Sequence, residues 1–125
     1  MSSRGFANSH KFRAWAKRHG DRLVAEGRRL EKDVEAILLR LETRGDIMNF
    51  TVHPPYSQED YAGRDFTARK QVDCVLVERS FGVTISPKSW RRAKQTHLAT
   101  PQFCFPIGTN TDTIERRILG LFPKA

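Results

Sequence analysis

An α/β domain, built from a small mixed sheet flanked by helices in the order α-β-β-β-α-β-α, is the fold this sequence predicts. Three observations predict it. Leu30, Val34, Ile37, Leu38 and Leu41 recur at helical spacing and make one apolar stripe. Between residues 47 and 86 the pattern changes to alternation of period two, which marks strands. Ser86-Pro87 then opens a second helix, and the apolar run QFCFPI, residues 102 to 107, returns to a strand.

Taken in order, residues 1–20 read as a basic N-terminal arm and residues 21–125 as one domain. In the arm, Phe12, Trp15, Ala16 and His19 fall at i, i+3, i+4 and i+7, among Lys11, Arg13, Lys17 and Arg18. Such a helix either lies on phosphates or caps the core. Residues 21–44 form the strongest helix, stopped by Gly45. Glu31 sits on the border of its apolar stripe, where a carboxylate can point along the surface the helix packs on.

Residues 47–52 (IMNFTV) give the first strand, ended by His53-Pro54-Pro55, and residues 54–64 are a turn-rich loop. Alternation then runs from Asp65 to Val77, with Phe66, Ala68, Val72, Cys74 and Leu76 on one face. With Glu78-Arg79 as the turn, the return strand places Leu76 opposite Phe81, Cys74 opposite Val83 and Val72 opposite Ile85. On the polar face Asp73 then meets Thr84 and Gln71 meets Ser86. Ser86 is the expected N-cap of a basic helix carrying Lys88, Arg91, Arg92 and Lys94. After the strand at 102–107, a last helix begins near Thr113, with Asp112 and Glu115 at capping-box spacing.

Composition narrows the function. The 125 residues carry 22 Lys and Arg against 14 Asp and Glu, a net charge of +8. The excess is spread evenly along the chain, which favours a polyanionic partner, because each phosphate neutralised releases counterions. No apolar run is long enough to span a bilayer, so no membrane is expected. The N-terminus lacks the apolar core of a secretory signal. Cys74 and Cys104 lie in apolar runs without C-x-x-C spacing and read as buried free thiols of a cytoplasmic protein.

Three stretches carry a resemblance. GRRLEKDVEAIL holds Glu31, GRDF holds Asp65, and FGVTIS holds the tripeptide Thr84-Ile85-Ser86. Together, in the element order helix, three strands, helix, strand, they resemble the PD-(D/E)XK nuclease superfamily, the restriction-endonuclease-like fold, over residues 27 to 107. The resemblance implies a metal-dependent phosphodiesterase using Mg²⁺ or Mn²⁺. Asp65, Glu31 and Asp73 are then the candidate metal ligands, and Asp65, Asp73, Thr84, Ser86 and Lys88 the candidate catalytic positions. The family writes acid-x-lysine where this chain has Thr84-Ile85-Ser86. Mg²⁺ needs several oxygen ligands and the attacking water a nearby cation, which a strand offers side by side at i and i+2.

Three readings follow. Lys88 or a helix arginine replaces the missing lysine in an altered active site. Alternatively the fold survives as a binding module whose Lys88, Arg91, Arg92 and Lys94 grip phosphates, on DNA before RNA. The third reading is a catalytically inactive protein-interaction module with a basic surface. A nuclease this small often works as a homodimer, each subunit addressing one strand.

Overall fold

The computed structural model describes residues 3–124, with side chains given for residue 14 and for residues 17–124. The apolar face read from Phe12 and Trp15 lies outside the described side chains. The backbone read as an arm is continuous with the first helix: α1 runs Ser3–Arg44, roughly 63 Å at 1.5 Å per residue. Its buried side chains are Leu30, Val34, Ile37, Leu38 and Leu41, the stripe expected from the sequence. Residues 17–29 lie beyond that contact and are exposed or half-exposed. Gly45 ends the helix at φ +81, a left-handed turn that glycine enters without a Cβ clash. It lets the Asp46 N–H close back on the Leu41 carbonyl at 2.9 Å.

Four strands follow: β1 (Asn49–Val52), β2 (Phe66–Val72), β3 (Val75–Thr84) and β4 (Gln102–Cys104). They lie in the order β1-β2-β3-β4. The first three form an antiparallel meander, and β4 pairs parallel to β3. The crossover between β3 and β4 is the helix α3 (Pro87–Thr96), after a short α2 (Gln58–Tyr61) in the loop that follows β1. The expected order is thus present, with one added helical turn. Among the described residues no helix is long and apolar enough to cross a membrane.

The hairpin register differs from the expected one. The β2–β3 turn is Asp73-Cys74, flanked by the pair Val72↔Val75, not Glu78-Arg79. Both turn residues have positive φ, 50° and 66°, as in the type I′ turn whose twist suits a two-residue hairpin. Phe81 therefore pairs with Phe66 and not with Leu76. Cys74 and Leu76, expected in the core, are exposed. Cys74 is a free thiol at the hairpin tip, while Cys104 is partly covered. Glu78, expected in a turn, lies within β3 and holds Arg69 Nε at 2.9 Å. Arg69 Nη1 reaches on to Asn49 Oδ1 and Thr51 Oγ1, at 3.0 and 3.1 Å. One guanidinium thus ties the three antiparallel strands across their polar face.

The core lies on the other face. Phe66, Ala68 and Phe81 pack with Phe103 and Phe105 against α1 and against α4 (Thr111–Leu119), which brings Ile114 and Ile118. Asn110, not Asp112, caps α4, its side-chain oxygen accepting the Asp112 N–H at 2.7 Å. Glu115 is turned inward, 7% exposed, and accepts hydrogen bonds from both Arg40 and Arg44 of α1. A carboxylate this buried is held by charge-assisted bonds rather than used as a cap.

Candidate functional site

Asp65 stands one residue before β2. Its own N–H donates to the Phe81 carbonyl, and its carbonyl accepts from the His53 N–H, both at 2.9 Å. The side chain turns toward β3, where Oδ2 accepts the Val83 N–H at 2.8 Å. Burial pushes the Asp65 carboxyl above the ordinary aspartate range. The Val83 N–H opposes that shift, while the charge of Asp60 and a side-chain hydrogen bond to it add to it, and His53 pulls the other way.

Asp60 was not legible as a site residue. It belongs to α2, which begins at Ser57, whose Oγ accepts the Asp60 N–H at 3.2 Å. The Asp60 carboxylate in turn accepts the Tyr56 N–H at 2.9 Å. Tyr56 adopts φ 64, a left-handed conformation that costs a non-glycine residue on the order of 1–2 kcal/mol. The signal was the Ser57-x-x-Asp60 spacing in the loop read as structureless.

Glu31 joins these two from α1. Burial raises its pKa first, then the negative charges of Asp65 and Asp60, with Arg28 pulling it down. Three carboxyl groups from α1, α2 and the start of β2 thus share one neighbourhood, where burial and the charge of Asp60 push the carboxyls of Glu31 and Asp65 upward. Beside them runs a hydroxyl chain on the polar face of the sheet. His53 Nε2 and Thr67 Oγ1 share a 2.6 Å hydrogen bond, and Thr67 Oγ1 and Ser80 Oγ one of 2.7 Å.

The other predicted positions are placed differently. Asp73 occupies the hairpin tip, exposed, and eight residues of strand rise separate it from Asp65, about 26 Å. The two cannot hold one ion, and the expected pairing of Asp73 with Thr84 does not occur. Thr84 ends β3, and its Oγ1 accepts the Ser86 N–H at 3.3 Å. Ser86 is the N-cap of α3, its Oγ accepting the Ser89 N–H at 3.3 Å. Both therefore brace the turn from β3 into α3. Lys88, Arg91, Arg92 and Lys94 are exposed along α3, which holds no acidic residue.

The ion implied by the resemblance meets an incomplete donor set. Among the described residues no three His, Cys, Asp or Glu side chains form a group able to hold a metal. Asp73 lies too far from Asp65, and Thr84 and Ser86 are neutral. Of the three expected metal ligands only Glu31 and Asp65 lie near each other, while α3 presents four exposed cations. Comparison with family models, with curated proteins and with solved structures returned no match for this chain.

The raised carboxyl gives a direct prediction. A folded-state pKa above the unfolded one stabilises the fold below the unfolded value, and that stability is lost as pH rises through the folded value. The ionised Asp65 therefore costs stability at neutral pH. Asp65→Asn keeps an oxygen for the Val83 N–H and removes the charge. We expect it to raise the unfolding free energy at neutral pH by an amount on the order of 1 kcal/mol. The gain should vanish below the ordinary aspartate value of 3.8. Thermal melts of both proteins across that range test it; a variant less stable at neutral pH contradicts the assignment.

Proposed function

We propose that this protein binds nucleic acid through the outer face of α3, on a restriction-endonuclease-like scaffold. The observation that carries the reading is uncompensated charge. The ion pairs among the described residues are Arg40–Glu115, Arg44–Asp46, Arg44–Glu115, Arg64–Glu59 and Arg69–Glu78. None of them uses Lys88, Arg91, Arg92 or Lys94. Lys88, Arg91 and Arg92 stand at i, i+3 and i+4 and so share a face, held by Ser86 and Pro87 at the helix start. Cations kept without carboxylate partners lose no ion pair when they meet phosphate, and each contact releases counterions.

The scaffold is supported by topology. A three-stranded meander, a helical crossover and a fourth strand parallel to the third is the order of elements that the resemblance implies. Cleavage is a further step, for which the carboxyls near Asp65 would have to hold a divalent cation.

Labelled duplex DNA, single-stranded DNA and RNA, each incubated with the protein in Mn²⁺ or in EDTA, give the test on native and denaturing gels. At least one of the three is expected to shift in both conditions without product. Lys88→Gln/Arg91→Gln/Arg92→Gln should weaken that shift roughly 10- to 100-fold at moderate salt. Absence of any shift sinks the reading. Product that requires Mn²⁺ and disappears in Asp65→Ala would keep the binding and restore the hydrolytic step.

A further inference from the structure

The free edge of β4 forms a second basic feature, different in construction from the outer face of α3. β4 is last in the sheet order, so among the described residues no strand pairs with its outer side. A groove of about 530 Å³ lies beside β4, lined by Trp90, Lys94 and His97 from α3 and its C-cap, by Phe103 of β4 and by Arg117 of α4. Trp90, Lys94 and His97 stand at i, i+4 and i+7, the helix face turned away from Lys88, Arg91 and Arg92. The ionisable groups of the lining are Lys94, His97 and Arg117, with no acid among them.

Aromatic rings set the positions of these cations. The Lys94 ammonium lies 4.1 Å from the centroid of the Trp90 ring. The Arg117 guanidinium lies 5.4 Å from that of Phe103. Both rings are fixed in turn: Trp90 Nε1 donates to the Gln102 carbonyl at 2.7 Å, and Phe103 is 8% exposed. A cation–π contact orders a charged side chain without neutralising it. Lys94 of α3 and Arg117 of α4 thus bring two ring-ordered positive charges to one groove from different elements, neither engaged in an ion pair among the described residues. Leu98, 88% exposed, adds an apolar surface at the rim.

The groove also leads toward the carboxyls. Gln102 Nε2 donates to the Gly63 carbonyl at 2.8 Å. A Cβ on Gly63 would stand 2.5 Å from the His97 ring. The end of the groove at His97 and Gln102 is therefore packed on the backbone two residues before Asp65.

We propose that this groove takes one nucleic-acid strand, with Lys94 and Arg117 each receiving a backbone phosphate and Leu98 lying against a base or sugar. The proposal rests on the nucleic-acid reading above and adds a preference for single strands. Cations reaching one groove from two elements can hold a single backbone, whereas a duplex reaches only the rim of a groove this size. Single-strand binders pair a basic groove with surfaces that receive unstacked bases, and Leu98 offers an apolar one here.

Fluorescence anisotropy over a series of salt concentrations tests it, with one labelled oligonucleotide presented single-stranded and as duplex. Wild type is compared with Lys94→Gln/Arg117→Gln and with Lys88→Gln/Arg91→Gln/Arg92→Gln. The groove variant is expected to lose at least ~10-fold in single-strand affinity. Its salt slope should fall by roughly 1.4, two contacts at about 0.7 each, while duplex binding stays within about twofold. Equal losses for single strand and duplex overturn the strand preference. A groove variant that binds single strands as wild type does, while the α3 variant fails, overturns the groove and leaves the α3 reading standing. A wild type that binds neither form removes both.

Discussion

Phe81→Ala is expected to lower the unfolding free energy by about 4 kcal/mol, the scale of a phenylalanine truncated in a packed interior. Phe81 is fully buried and stands where the two halves of the fold meet. Its ring stacks on Phe66 of β2 with centroids 5.5 Å apart. It also meets Phe103 of β4 at 5.7 Å, so the cavity left behind would open between the meander and the parallel strand. The surrounding rings are held by α1 and α4 and cannot collapse into it. A domain of this size typically has about 5–15 kcal/mol in total, so the variant is expected near the edge of folding. Phe81→Leu keeps most of the volume and should cost about 1–2 kcal/mol. Urea denaturation of the pair checks the ordering; a loss below ~1 kcal/mol for Phe81→Ala would contradict this packing.

The same residue shows how far the sequence could be read. Phe81 was assigned to the core face of the returning strand, and it lies there, because alternation fixes a face without fixing a partner. The partner depends on where the hairpin turns, and VDCVLVERS contains two candidate turns. Glu78-Arg79 is one and Asp73-Cys74 the other. The chain turns at Asp73-Cys74, where the backbone enters the left-handed region twice. Asp tolerates that region and Cys does so poorly, so residue preference gave only half of the expected signal. Aspartate is disfavoured in mid-strand, and the turn accounts for Asp73 there. Moving the turn took Asp73 away from the carboxyl cluster and exposed Cys74 and Leu76.

Asp60 was missed for a related reason. A loop rich in Pro, Tyr and Gly hides a helical turn of four residues, too short for any apolar periodicity. Only the capping spacing from Ser57 announces it. The Ser86-Pro87 helix start was legible in full, because cap and proline act within one turn of chain, whereas the cap of α4 falls on Asn110 and not on the expected Asp112. The Glu31–Asp65 neighbourhood was legible through the resemblance and through the border position of Glu31. The proximity of Asp60 to both depends on tertiary packing that no local pattern encodes.

Gly82→Ala is expected to cost about 2–3 kcal/mol, although it adds a single methyl group. Gly82 lies in β3 beside the segment that leads to Asp65. A Cβ there would meet the Gln102 side chain and stand 2.5 Å from the Gly63 carbonyl oxygen. Gln102 could swing aside only by giving up its 2.8 Å bond to that same oxygen. The Gly63 backbone has no such freedom. At φ +78 it makes the turn between α2 and β2, and the space beside it is filled, since a Cβ there would stand 2.5 Å from the His97 ring. The methyl must therefore push the start of β2 away from β3, loosening the Val83 N–H from the Asp65 carboxylate. Gly120→Ala is the control, since a Cβ there meets its nearest atom at 3.1 Å, a contact that a small shift at the end of α4 relieves. Paired thermal melts should show Gly82→Ala falling well below both wild type and Gly120→Ala. Equal melting of the two variants would mean that β2 and β3 are not locked together at this point.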